Sequence, residues 1–228
     1  MYDDLQLELE NSSTVDRAAQ EIRRAMFAGQ LGPGTPLREV ALSEAMGVGR
    51  STIREALGVL VAEGLAVRIP NRGVAVKELG ADDVRDVSRA RTALESAGVR
   101  RWNEADDLDR QALREALHEY AALARTAGAR DDPASLTEAH LQIHRALVGL
   151  SGSERLLAAG DALISEIRLG LAHLDRTRSN LRQQVAEHAY LVELLEAGQV
   201  DDAIDELARH LDAAETSLLD ATGHGDAR

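Results

Sequence analysis

Residues 47–57 read GVGRSTIREAL, and this stretch decides the fold of the first third of the chain. Its two glycines make a tight turn, after which Ile53 and Leu57 recur at the spacing of one helix face. Arg50 and Arg54 lie one turn apart on the opposite face of the same helix. The stretch therefore predicts a helix that packs inward on its apolar side and presents two arginines to its surroundings.

Upstream of this stretch, apolar residues at helical spacing and a capping signal predict two further helices. A Gly-Pro-Gly turn at 32–34 separates them, and the shorter helix is expected to bury Val40, Ala41 and Leu42. The three predicted helices span about residues 13–29, 38–46 and 50–63. The last two, with a tight turn between them, form a helix-turn-helix.

Downstream, residues 65–69 and 73–77 alternate in the manner of β-strands around Pro70-Asn71-Arg72-Gly73, which predicts a hairpin that forms a wing. From Ala81 onward the pattern is helical throughout. The predicted helices there span about 82–103, 107–127, 135–150, 153–178, 180–197 and 200–218. The fold class is therefore mainly α, with an N-terminal winged helix-turn-helix of three helices plus a β-hairpin, followed by an all-α helical-bundle domain. The predicted domain bounds are 8–78 and 79–220, with a disordered tail at 221–228.

The chain has 44% apolar residues, 29% charged residues and no cysteine. This composition is typical of a globular protein and excludes a disulfide framework or a thiolate metal site. No apolar run approaches the roughly 18 residues of a membrane-spanning helix, and the acidic start at Asp3 and Asp4 lacks the basic region of a signal peptide. We therefore expect a cytoplasmic protein with no membrane partner.

The net charge of −13 is spread unevenly along the chain. Residues 14–77 hold nine basic side chains against six acidic ones, whereas residues 81–228 hold 17 against 28. A basic first third beside an acidic remainder is consistent with one nucleic-acid-binding module on a carrier that does not bind nucleic acid.

The predicted third helix carries residue types that read DNA at its N-terminus. In a helix-turn-helix the second helix enters the major groove, where Arg50 and Arg54 can bond guanine and Ser51 or Thr52 can hold a phosphate. Arg72 at the wing tip can contact the minor groove or the backbone. For two arginines alone, a solvated helix face is the simpler interpretation. The ordered combination of helices, glycine turn and hairpin favours DNA binding.

Four segments of this region resemble the N-terminal domain of the GntR family of regulators, over about residues 14–77. They are Leu37-Arg38-Glu39, Leu42-Ser43-Glu44, residues 47–57 and Glu63-Gly64-Leu65. The resemblance implies DNA contact by Arg50, Ser51 and Arg54, and by the wing around Asn71 and Arg72.

The chain departs from that family at two positions. Val40 stands where the family often has an arginine that contacts DNA, and Gly49 where it often has serine or threonine. The operator sequence therefore does not carry over from the family.

Histidines in the helical region are spaced for metal binding. His140 and His144 share one face of a predicted helix at i and i+4, while His188 and His210 lie beside apolar stripes of two further helices. Three helices could thus converge on one buried metal ion. The alternative is that these are ordinary buried or surface histidines. His118, His173 and His224 match no pattern and have no predicted role.

Residues 82–218 resemble the FCD ligand-binding domain of the FadR subfamily. The matching segments are residues 139–147 followed by Ser151-Gly152-Ser153, Glu187-His188, and Arg209-His210-Leu211. In that family an aspartate and three histidines bind a divalent metal. The resemblance therefore implies a metal site at His140, His144, His188 and His210.

His140 stands where the family has its aspartate, and Ile143 where it has phenylalanine. Replacing a carboxylate by a neutral imidazole favours zinc or nickel over manganese or magnesium. A site of three histidines, with His140 turned away, is the alternative.

Arg91 and Glu95 match the Arg-x-x-x-Glu of the family's first bundle helix. An arginine near an open metal position can clamp a carboxylate through two hydrogen bonds, so Arg91 is the first candidate for effector binding and Arg168 the second. The alternative for Arg91 and Glu95 is an i, i+4 surface ion pair.

Together with the two resemblances, these patterns predict a sequence-specific DNA-binding regulator that forms a homodimer on a palindromic operator and responds to a small organic acid at or near the metal. The resemblance to the GntR family implies that it is a repressor. A helical metallohydrolase is the rival class. By spacing, its one candidate general base is Glu187. Adjacent helix residues point about 100° apart, so Glu187 does not point toward an ion that His188 binds. We therefore predict no enzyme activity. A purely structural metal, with the effector bound elsewhere, is the third alternative.

Overall fold

The computed structural model describes residues 13–126, 133–172 and 181–221. Its elements within those ranges are α1 Thr14–Phe27, α2 Glu39–Met46, α3 Arg50–Ala62, β1 Ala66–Ile69, β2 Gly73–Val76, α4 Ala81–Arg100, α5 Asp107–Thr126, α6 Pro133–Gly149, α7 Glu154–Leu171, α8 Leu181–Glu196 and α9 Val200–Ala221. The predicted fold class is confirmed: three helices and a hairpin precede a helical bundle. In the predicted tail at 221–228, Ala221 is the last residue of α9, and residues 222–228 lie outside the described residues. Gly128, His173 and His224 also lie outside them.

The N-terminal core forms between α1 and α3. Ser13 caps α1, because its hydroxyl accepts a hydrogen bond from the Asp16 amide at 3.1 Å while the Asp16 carboxylate accepts one from the Ser13 amide at 3.0 Å. Ile22 then lies in one buried cluster with Ile53 and Leu57 of α3. The apolar face predicted for α3 is therefore the face that it packs inward.

The short helix α2 buries less than the sequence predicts. Val40 is 47% exposed and Ala41 is exposed, so the expectation that these two residues are buried is wrong. An eight-residue helix turns one stripe to the core, and Leu42 and Met46, one turn apart, occupy it as half-buried residues. Val40 lies about 200° around the helix from Leu42 and faces outward.

Strands β1 and β2 pair antiparallel with Ala66 opposite Val76 and Ile69 opposite Gly73, which makes the predicted wing. Pro36 adds an isolated bridge to the outer side of β2. At the hairpin tip Asn71 has φ 61°, a left-handed conformation that asparagine tolerates better than most residues with a side chain. The tip residues are therefore held in a tight turn rather than in an open loop.

Helices α5, α6, α8 and α9 enclose the main core of the C-terminal half. Apolar side chains at helical spacing meet in one buried cluster, which includes Leu113, Tyr120, Ile143, Leu147, Leu195 and Leu207. None of the helices in the described part of the chain combines the length and the apolar character needed to cross a membrane.

Helix α4 crosses α6 at very close range. A Cβ built on Gly98 would lie 1.8 Å from the carbonyl oxygen of Leu147, so only glycine allows this approach. One turn earlier on each helix, Glu95 contacts His144. The two helices therefore run parallel here, and their crossing brings a buried carboxylate to the histidine helix.

Helix α7 joins the two halves of the chain. Leu169 is buried in the N-terminal cluster, and the guanidinium carbon of Arg168 lies 4.3 Å from the centroid of the Phe27 ring. The Lys77 ammonium donates to a Glu166 carboxylate oxygen at 2.7 Å. The N-terminal half and the bundle are thus in direct contact through one helix.

Replacing Gly98 by alanine tests the α4–α6 crossing. Because the added methyl group would meet backbone rather than a side chain, we expect Gly98→Ala to lower the free energy of unfolding by about 3 kcal/mol in urea denaturation. The matched control is Gly149→Ala on α6, whose added Cβ meets nothing within 4 Å. It should leave stability unchanged within about 1 kcal/mol. Equal losses in the two variants would contradict the account of the crossing.

Candidate metal centre and nucleic-acid interface

Four histidines from three helices converge inside the bundle. His140 and His144 come from α6, His188 from α8 and His210 from α9, and one potential ligand atom from each lies within 4.8 Å of the others. The first three are buried and His210 is nearly so. The structure thus brings together all four histidines that the sequence singled out.

The distances within this cluster suit a metal ion. The Nε2 atoms of His144 and His140 lie 3.2 Å apart, and those of His188 and His144 lie 3.4 Å apart. Around a tetrahedral zinc ion with Zn–N distances of about 2.0–2.1 Å, ligand nitrogens are about 3.3 Å from one another. These two separations therefore match the edge of such a tetrahedron, and one potential ligand atom from each histidine lies within 4.8 Å of the others.

The protein holds the outer nitrogen of three of these rings. His144 Nδ1 lies 2.8 Å from a Glu95 carboxylate oxygen, and His188 Nδ1 donates to the Gln184 carbonyl at 2.7 Å. His210 Nδ1 lies 3.5 Å from Glu187. Metal-ligating histidines are oriented by such outer contacts, which leave the other ring nitrogen for the ion. The residues present therefore fit a divalent metal.

Burial keeps His188 in the protonation state that a metal requires. Desolvation, with a smaller contribution from neighbouring His210, lowers the pKa of His188 to about 3. Its imidazole is therefore neutral at physiological pH and carries a free lone pair for a ligand bond. Burial also raises the pKa of Glu95, against the opposing effect of Arg91.

Arg91 and Glu95 form an ion pair, but a buried one. Their side chains are 6% and 1% exposed, and Arg91 Nε donates to Glu95 Oε1 at 2.9 Å, so the surface-pair alternative is wrong. The second Glu95 oxygen contacts His144, which links Arg91 to the histidines through one carboxylate. Arg91 Nη2 is buried and has no hydrogen-bond partner among the described residues, so this guanidinium retains a donor.

Arg168 lies at the contact between the two halves instead of beside the histidines. It forms an ion pair with Glu138 of α6 and stacks on Phe27 of α1. Burial lowers its pKa. A carboxylate ligand at this position would have to compete with Glu138.

A cavity of about 10 Å³, enough for one water molecule, adjoins the histidine cluster. Its lining consists of His144, Leu147, Glu187, His188, Leu191, Glu206, Leu207 and His210. Sequence reasoning missed Glu206, although it precedes His210 by four residues and shares its helix face.

The first turn of α3 is open to solvent. Arg50, Ser51 and Arg54 are exposed and Thr52 is half-buried. The N-cap residue is Gly49, which has no side chain to cap the first turn. Backbone N–H groups at such a helix start are free to bind phosphate. At the wing, Asn71 and Arg72 are exposed as well.

Arg54 is held by a partner that the sequence did not reveal. Its Nε and Nη2 donate to the two carboxylate oxygens of Glu39 on α2, at 2.9 and 2.7 Å. The hydrogen bonds from Arg54 hold the pKa of Glu39 below its usual value. The pair fixes the angle between α2 and α3 at the surface and orients the guanidinium.

Two family models match the chain. The first, bacterial regulatory proteins of the gntR family, matches residues 14–76, and the second, the FCD domain, matches residues 86–213. The first match covers the helices and hairpin of the N-terminal half. The second contains all four clustered histidines.

Relatives and a solved structure agree with these matches. The chain is 28% identical over 198 residues to a probable D-xylose utilization operon transcriptional repressor of Paenarthrobacter nicotinovorans, covering 87% of this chain and 84% of that protein. It is 32% identical over 100 residues to the HTH-type transcriptional regulator YdhC of Bacillus subtilis, which covers 43% of this chain and only 45% of that protein. A transcriptional regulator GntR from Rhodococcus sp. RHA1 superposes with a TM-score of 0.76 at 29% identity, over 92% of this chain and 99% of that one.

Releasing Arg54 should strengthen electrostatic binding to duplex DNA. Glu39→Gln removes a carboxylate that both holds Arg54 and repels phosphate. We therefore expect the variant to bind DNA more tightly than the wild type. The slope of log K for DNA against log salt concentration should become steeper by about one unit. Fluorescence anisotropy on a short duplex of arbitrary sequence measures both quantities.

The control is Glu44→Gln, which removes the same charge from an exposed position on the same helix. It should change the salt slope less than Glu39→Gln, because it leaves the Arg54 pair intact. Equal slopes for the two variants would show that Glu39 acts through its charge alone.

Proposed function

The chain belongs to the gntR family of bacterial regulatory proteins and carries an FCD domain, and from this premise we propose that it is a metal-dependent repressor. Its family and relatives are transcriptional regulators and not enzymes, as the sequence predicts. The family implies DNA binding, and the FCD domain, which is consistent with the FadR subfamily, implies a small-molecule effector. We propose that a small organic acid, bound at or beside a divalent metal, changes operator binding.

The convergence of four histidines carries this proposal. Imidazole nitrogens lie 3.2 and 3.4 Å apart in this cluster, and three of the four rings are oriented by an outer contact. This arrangement suits a borderline metal, so zinc or nickel is the proposed ion. The proposed ligands are His140, His144, His188 and His210. The ion would tie α6, α8 and α9 together and supply a positive centre for an anionic effector.

Arg91 is the proposed anchor of the effector carboxylate. Its Nε is held by Glu95, which keeps the guanidinium beside the histidine helix, while its buried Nη2 has no hydrogen-bond partner in the part of the chain that the structure describes. A buried donor without a partner is costly, and a carboxylate would satisfy it. Arg168 is the second proposed effector residue, and an effector carboxylate there would have to displace Glu138 from its ion pair with Arg168.

The proposed DNA contacts lie on α3 and the wing. They are Arg50, Ser51, Thr52, Arg54, Asn71 and Arg72. We propose that the protein acts in the cytoplasm as a homodimer on a palindromic operator. The proposed domains are 8–78 and 79–220; the two family matches fall on either side of that boundary, which supports it. The name of the Paenarthrobacter relative supports repression.

Metal content tests the proposal. Purified wild type should carry about one zinc or nickel ion per chain by mass spectrometry, because four imidazoles converge on one point. His144→Ala combined with His188→Ala should lose it, since two of the four ligands are removed. Operator affinity, measured on the DNA upstream of the gene, should respond to small carboxylates in the wild type alone.

His118→Ala is the control, because His118 is exposed and lies outside the cluster. It should keep both the metal and the response. If the wild type took up no metal even after reconstitution, the metal-dependent mechanism would be wrong. Loss of metal with an unchanged response to carboxylates would assign the ion a purely structural role.

A further inference from the structure

Glu206 is a buried carboxylate that faces the histidine cluster. It precedes His210 by one helical turn on α9, is 5% exposed, and lines the water-sized cavity together with His144 and His188. The hydrogen-bond partner described for it is Arg209, whose side chain is 68% exposed. Glu206 therefore borders the same cavity as these imidazoles, although its carboxylate is not in the set of described ligand atoms within 4.8 Å of one another, so its side chain would have to turn inward to reach an ion there.

Burying a carboxylate requires compensation. An ion pair with a solvent-exposed arginine contributes little, because water competes for both partners. A divalent cation beside the carboxylate would compensate much more of the cost of removing Glu206 from water. The place from which such a cation could act is the cavity that Glu206 shares with three histidines.

The charge balance of the centre leads to the same point. Four neutral imidazoles leave both positive charges of a divalent ion unbalanced in a buried site. Glu95 lies behind His144, but its charge is already balanced by Arg91. Glu187 is one-third exposed and contacts the outer Nδ1 of His210. Glu206 is the remaining carboxylate in the cavity lining; it is buried, and its described partner, Arg209, is exposed.

We infer that Glu206 is a fifth, anionic ligand of the metal ion, supplied by α9. This inference rests on the proposed metal site and adds its carboxylate. An added carboxylate such as acetate must then compete with Glu206 for the ion.

Cobalt(II) titration followed by visible absorption tests this assignment. Glu206→Gln keeps the shape of the side chain and removes its charge, so cobalt should bind at least about tenfold more weakly. The visible spectrum should change with the ligand set. Acetate should perturb the cobalt spectrum of this variant at lower concentration than that of the wild type, because its internal competitor is gone.

Two controls separate ligation from general effects of charge. Glu193→Gln removes the same charge from an exposed position on α8 that does not line the cavity, so its cobalt spectrum should match that of the wild type. Arg209→Gln removes the exposed partner of Glu206 and should leave cobalt affinity equal or higher. Circular dichroism of the metal-free variants checks that each one folds.

The outcomes distinguish the two levels of the proposal. If Glu206→Gln matched the wild type in cobalt affinity and spectrum, Glu206 would not be a ligand, while the histidine site would stand. If the wild type bound no cobalt, the proposed metal site would be wrong, and so would the proposed role of Glu206.

Discussion

The parallel crossing of α4 over α6 is the constraint on which the histidine centre depends. With 1.8 Å between an imagined Gly98 Cβ and the Leu147 carbonyl, the two backbones meet without an intervening side chain. That approach places Glu95 against His144 one turn earlier, and Glu95 in turn holds Arg91. The proposed metal ligands on α6 and the proposed effector anchor on α4 therefore share one rigid contact.

The same histidine helix continues toward the DNA-reading half. Glu138, two residues before His140, pairs with Arg168 of α7, and Arg168 stacks on Phe27 of α1. Lys77, just after the wing, is tied to Glu166 on the same helix α7. A ligand that moved α6 would act on the N-terminal half through these contacts, which is the physical requirement for coupling two sites.

Local patterns predicted what depends on local spacing. GVGRSTIREAL gave a helix with the expected inner and outer faces, and the i, i+4 pair His140 and His144 indicated the cluster. Properties that depend on how helices pack escaped prediction: Val40 is exposed because α2 turns a single stripe inward, and Glu39 meets Arg54 across two helices. Glu206 went unnoticed because its importance arises from α9 lying beside α6 and α8.

The most direct test of the account is the position of a metal ion in crystals grown with zinc. Anomalous diffraction at the zinc absorption edge should give one strong peak per chain, enclosed by the ligand nitrogens of His140, His144, His188 and His210. A cluster without a peak, or zinc bound only at surface carboxylates, would contradict the claim that this fold builds a metal centre between α6, α8 and α9.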